Sequence, residues 1–144
     1  MPSRLKDARD QIATDFEALT PPNNSRRTYR KLKGRDVLDG ASGHRTFYFL
    51  PPSAAVLAEF GSGFSVYQYE FEARVRISTA ATGIDATFDS VVDESLLLVD
   101  AVNNRSAWPS GVRLVASAGY GVTETDSDDL EIILPITAEI EEAN

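Results

Sequence analysis

The chain has 144 residues, 22 acidic and 14 basic side chains, a net charge of −8, one histidine and no cysteine. That inventory excludes a disulfide framework, cysteine-ligated zinc or iron–sulfur clusters, thiol chemistry and any multi-histidine metal centre. With 42% hydrophobic and 25% charged residues the composition is that of one globular domain, and its apolar runs fall far short of the roughly 20 residues that span a bilayer.

The N-terminal run Met1-Pro2-Ser3-Arg4-Leu5-Lys6-Asp7 has no apolar stretch and predicts no secretory leader. A first helix is predicted over about 3–19, because Leu5, Ala8, Ile12, Ala13, Phe16 and Leu19 recur at spacings of three and four. Pro21-Pro22 stops it. A basic arm or strand follows over 26–35, carrying Arg26, Arg27, Arg30, Lys31, Lys33 and Arg35 around Tyr29. Such a run reads as a solvated segment, a contact for an acidic surface, or a nucleic-acid contact with the ring available for stacking. Residues 39–43 are rich in turn formers, and the aromatic run Arg45–Leu50 predicts a strand. The pattern from Ser53 to Gly63 fits a helical turn or a loop.

A long strand is predicted over 66–78: Tyr67, Tyr69, Phe71, Ala73, Val75 and Ile77 alternate with Gln68, Glu70, Glu72, Arg74, Arg76 and Ser78. A second helix is predicted over about 87–103, with Phe88, Val91, Val92, Ser95, Leu96, Val99 and Val102 as its buried stripe. Trp108 reads as a partly buried cap beyond its end. The remainder, 111–140, predicts a hairpin: one strand continuing to about Glu124, an acidic turn, and a second strand from Leu130. Pro135 cannot donate to a ladder, which places that strand at a sheet edge or gives it a bulge. Residues 141–144 are expected to fray. The sum is a single α+β domain, an antiparallel sheet flanked by two main helices.

No arrangement of residue types points to catalysis. His44 lies in a turn without an evident orienting acid and reads as an exposed loop residue. The run Asp126-Ser127-Asp128-Asp129-Leu130-Glu131 offers oxygens that suit calcium but lacks the loop spacing and glycine of a calcium-binding hand. Gly61-Ser62-Gly63 and Gly119-Tyr120-Gly121 are turn or irregularity signals, without a phosphate-cradling pattern. No cofactor or metal is expected. Charge, by contrast, is sharply segregated: residues 1–50 carry a net +4 and residues 51–144 a net −12.

In element order and texture the chain resembles the tail terminator proteins of long-tailed bacteriophages. The likeness rests on the helix Leu5–Leu19, the charged stretch Arg26–Arg35 running into Asp36-Val37-Leu38, and the strand Val66–Ser78. It extends to the helix Phe88–Val102 and the closing hairpin with its turn Glu124–Asp129. That resemblance implies a virion protein with no catalytic residues, assembled as a ring, usually a hexamer, on the last ring of the tail tube. It would stop tube growth and present a docking surface to the head connector or stopper protein, with DNA passing through unbound. Ring formation by head-to-tail contacts needs two complementary faces. Arg26, Arg27, Arg30, Lys31, Lys33 and Arg35 against Glu70 and Glu72 are the candidate pair. Glu124, Asp126, Asp128, Asp129, Glu131 and Glu139 are candidates for lining a channel that repels phosphate. The alternatives are another neck protein, a stopper or adaptor, or a small cytoplasmic binding domain whose segment 26–35 engages an acidic partner or nucleic acid.

Overall fold

Strict alternation of apolar and polar residues puts one row of side chains on each face of a strand. The chain follows this pattern for most of two 14-residue strands, β4 (Phe64–Ile77) and β7 (Leu130–Ala143), interrupted at Val66-Tyr67 and Ile132-Ile133-Leu134, and the two pair antiparallel over their whole length from Phe64↔Ala143 to Ile77↔Leu130. The computed structural model describes residues 4–22, 28–32, 43–60, 63–79, 84–125 and 129–143. The other elements are α1 (Arg4–Glu17), β1 (Arg30–Lys31), β2 (Thr46–Phe49), β3 (Ser53–Phe60), α2 (Ile84–Asn103), β5 (Val112–Ser117) and β6 (Gly121–Glu124).

Each long strand is flanked by two short ones laid end to end. On the free side of β4, β2 pairs with residues 73–76 and β3 with residues 64–70; on the free side of β7, β6 pairs with residues 130–133 and β5 with residues 136–140. β1 extends the sheet beyond β2 in the sole parallel pairing among the described strands. The result is the expected α+β architecture, an almost wholly antiparallel sheet carrying the two described helices.

Both helices lie on one face. Leu5, Ala8, Ile12, Ala13 and Phe16 of α1 pack with Phe71, Ala73, Val75 and Ile77 of β4 and with the cross-strand partners Ile136, Leu134, Ile132 and Leu130 of β7. Edge-to-face contacts run from Phe16 to Phe47 (5.3 Å), on to Phe49 (6.0 Å) and on to Phe71 (5.9 Å), stitching α1 to the sheet. Asp15 receives two hydrogen bonds from Arg105, whose guanidinium lies 5.6 Å from the half-buried Trp108, so the chain after α2 is tied back to α1.

Several sequence expectations change here. Residues 53–60 form a strand and neither a helical turn nor a loop, because the turn at Gly63 folds them back along β4. The stripe of α2 is rotated: Val91, Glu94, Ser95, Leu98 and Val102 are buried, whereas Phe88, Val92 and Leu96 stand about half exposed. A buried carboxylate at position 94 masks the true stripe from a hydrophobicity count. The strand expected from Gly111 to Glu124 breaks at residues 118–120, where Gly119 takes a positive φ of 150°. Residues 141–143 belong to β7.

Pro135 sits in the middle of the sheet, not at its edge. The carbonyl of Glu72 accepts from Leu50 N–H, so the amide groups of Glu72 turn toward β2, and its β7 partner Pro135 turns its backbone the other way. There it faces the gap between Ser117, opposite Ile136, and Gly121, opposite Ile133. A missing donor costs nothing at a place where no strand accepts.

Candidate interaction surface

The register of β4 with β7 decides which polar residues share the face turned away from the helices. Gln68, Glu70, Glu72, Arg74 and Arg76 stand opposite Glu139, Thr137, Pro135, Ile133 and Glu131. Glu70 and Glu72, expected at a subunit contact, therefore lie on one surface with Glu131 and Glu139, expected in a channel. Arg74 is the hinge of this surface. Its Nη2 and Nε donate to Glu72 Oε2 at 3.0 and 3.2 Å, and its Nη1 donates to Glu131 Oε1 at 3.1 Å. Hydrogen bonding to Glu72 raises the Arg74 guanidinium pKa further above its ordinary value. Tyr48 on β2 donates to Glu131 Oε2 at 3.2 Å, and burial first, then the Glu131 charge, pushes its phenol pKa up. Beside this network lies an open groove of about 660 Å³ between the Leu50–Ser53 linker, Glu70, Glu72 and Pro135–Thr137.

The remaining candidates separate. Arg30 and Lys31 form β1 and are exposed at the sheet edge, with Lys31 Nζ 5.8 Å from the Phe49 ring. Glu124 is exposed on β6 at the opposite edge. Asp129 is only 2% exposed and serves the turn: its carbonyl accepts from Thr125 N–H, and its Oδ1 accepts from Thr79 N–H at 3.3 Å. Glu131 is 5% exposed and engaged by Arg74 and Tyr48, so both acids are used inside the subunit. Arg26, Arg27, Lys33, Arg35, Asp126 and Asp128 lie outside the described residues.

Two polar centres went unread in the sequence. Arg45, at a left-handed φ of 59°, turns its guanidinium inward so that Nε donates to Glu94 Oε1 at 2.6 Å, with both side chains buried. The Tyr29 hydroxyl donates to the same oxygen at 2.8 Å, and burial foremost drives its pKa far up. This contradicts the stacking role entertained for Tyr29, because the ring is core. His44 is likewise buried, not an exposed loop residue; its Nδ1 accepts from Ser78 N–H at 3.0 Å, which occupies the lone pair a base would use. An isolated charged residue in a loop gives no signal of such long-range pairing.

Among the described residues no group of three or more acid, histidine or cysteine side chains is placed to hold a metal ion, and no helix is long and apolar enough to cross a membrane. The described surface offers paired charges and an open groove. No family model matches the chain, and no curated protein matches it. Its fold is similar to that of a chain in the solved virion of a native gene transfer agent particle, with a TM-score of 0.52 and 15% identity over 74% of this chain and 76% of that one.

Proposed function

We propose that this chain is a structural component of a phage-like particle, and within such a particle a ring-forming tail terminator at the head–tail junction. The observation that carries the reading is the fold likeness to a virion chain across about three quarters of both molecules. The resemblance in element order to tail terminators supports the finer assignment. So does the distribution of polar groups, which are spent on internal pairs and surface charge.

The mechanism is geometric. One end of the ring copies the contacts of a tube subunit, and the other offers no further tube-like surface, so growth stops and the head connector docks. Exposed Glu70 and half-buried Glu139 share the face turned away from the helices and suit a surface past which DNA slides, since carboxylates repel phosphate where lysines would bind it by releasing counterions. Adding the protein to polymerising tube protein of the same particle should halt lengthening and leave a ring of density on tube ends in electron micrographs. Tubes that grow on without a ring overturn the terminator role, and absence of the chain from purified particles by mass spectrometry overturns the virion role.

A further inference from the structure

One lateral margin of the sheet is stepped. β1 stands beyond β2 at the level of residues 75–76 of β4, whereas β3 lies directly against residues 64–70 and is the outermost described strand there. Below β1 the margin is therefore recessed by one strand. Residues 53–57 of β3 are exposed throughout this recess, with Val56 at 49% and Leu57 at 47%. Edge strands are usually blunted by charge, proline or a bulge, because an open backbone recruits other strands. The stretch from Ser53 to Ala58 carries no charge and no proline, and its register shift falls only after Val56.

Register also decides which backbone groups are open. In an antiparallel strand the N–H and carbonyl of one residue point to the same side, and successive residues point to opposite sides. The Glu72 carbonyl accepts from Leu50 N–H, so Glu72, Glu70 and Gln68 all turn toward the β2 and β3 side. Their β3 partners Ser53 and Ala55 accordingly turn inward to β4. Ala54 and Val56, opposite Tyr69 and Tyr67, hold their backbone groups outward.

We propose that a second copy of this chain fills the recess, its β3 pairing antiparallel with this β3 about a two-fold axis at Ala55. In that register Ala54 of each copy exchanges both main-chain hydrogen bonds with Val56 of the other, and Ala55 faces its own counterpart. Tyr67 and Tyr69 share a face with the core residues Ile140 and Ala138, so the joint lines up Tyr69, Ala54, Val56 and Tyr67 across two copies and buries the exposed valine. Self-pairing brings no like charges together, because the stretch has none. The two-fold axis sends each copy's β1 past the far end of the other's β3, so the step receives the second strand without obstructing it. Pro51 and Pro52, which lack an N–H, end the ladder on one side and the shift after Val56 ends it on the other. Such a contact is isologous and closes at two copies. It goes beyond the proposed function, since it describes the form the protein takes before any ring is built.

The chain's lack of cysteine makes the joint directly testable. Facing residues of a non-hydrogen-bonded pair have Cα atoms about 4.5 Å apart, within disulfide reach. Ala55→Cys should oxidise rapidly to a linked dimer, whereas Glu17→Cys, exposed on α1, should link only through slow collisions. Sedimentation velocity over a concentration series should show the unaltered protein as a dimer. Val56→Lys, which puts a charge where an apolar side chain is buried, should weaken that dimer roughly tenfold or more. A circular dichroism spectrum matching the unaltered protein establishes that each variant folds. A protein monomeric throughout the series, a dimer indifferent to Val56→Lys, or Ala55→Cys linking no faster than Glu17→Cys overturns the joint. Tubes capped by a protein that is monomeric when free would leave the proposed function standing, and a dimer that never caps tubes would do the reverse.

Discussion

Arg45 and Glu94 are charges taken out of water together, with side chains 5% and 0% exposed. Breaking a buried pair leaves an uncompensated charge, so Arg45→Met should cost roughly 3–5 kcal/mol in urea unfolding. Adding Glu94→Leu should recover part of that loss, since an apolar replacement of both partners removes the stranded carboxylate. Tyr29→Phe deletes one donor to Glu94 and should cost about 1–2 kcal/mol. The phenol also sets a pH dependence. The folded state holds the Tyr29 proton above the ordinary value of 10.0, so its stabilisation is complete below that pH and is lost as pH rises toward the folded value. The stability gap between the unaltered protein and Tyr29→Phe should therefore narrow above about pH 10. Tyr48 shifts in the same direction but is present in both proteins and drops out of the comparison. A gap that stays constant would show that Tyr29 does not keep its proton.

On the elements, the two readings of α2 make opposite forecasts. Leu98 is fully buried and Leu96 is half exposed, so Leu98→Ala should cost about 2–4 kcal/mol while Leu96→Lys should change stability by less than about 0.5 kcal/mol. The stripe counted from hydrophobicity alone forecasts the large loss at Leu96. The central strand gives a second contrast. Pro135 faces the gap between β5 and β6, whereas Thr137, in line with it along β7, faces Ala116 of β5. Pro135→Thr should be near neutral, and Thr137→Pro should cost about 3 kcal/mol or more through a lost ladder bond. Equal effects would place the proline's backbone elsewhere.

Across the whole molecule, cover is uneven. The helices bury Phe71, Ala73, Val75 and Ile77 of β4, but Tyr67 and Tyr69 in its first half are only half buried, and β3 beside them has open faces. Opening free energy follows buried contact, so amide hydrogen exchange in a lone subunit should be slowest in the half of β4–β7 beneath the helices and fastest, among strands, in β3.

Local periodicity was enough to fix the class of this protein. α1 buries five of the six apolar residues that its spacing singled out, the sixth, Leu19, lying just beyond its end, and β4 alternates in burial from Phe71 to Ile77. Those features depend on neighbours within a turn or a strand, which a single sequence contains. What needed the tertiary structure is everything set by partners distant in the chain. Glu94 is core only because Arg45 and Tyr29 arrive beside it; Pro135 is tolerated only because two short strands leave a gap; β3 is a strand only because β4 pairs with it. The grouping of Glu70, Glu72, Glu131 and Glu139 on one face, and of opposite charges on opposite edges, follows from register. Register is a property of strand pairs, and each strand's own sequence is compatible with many.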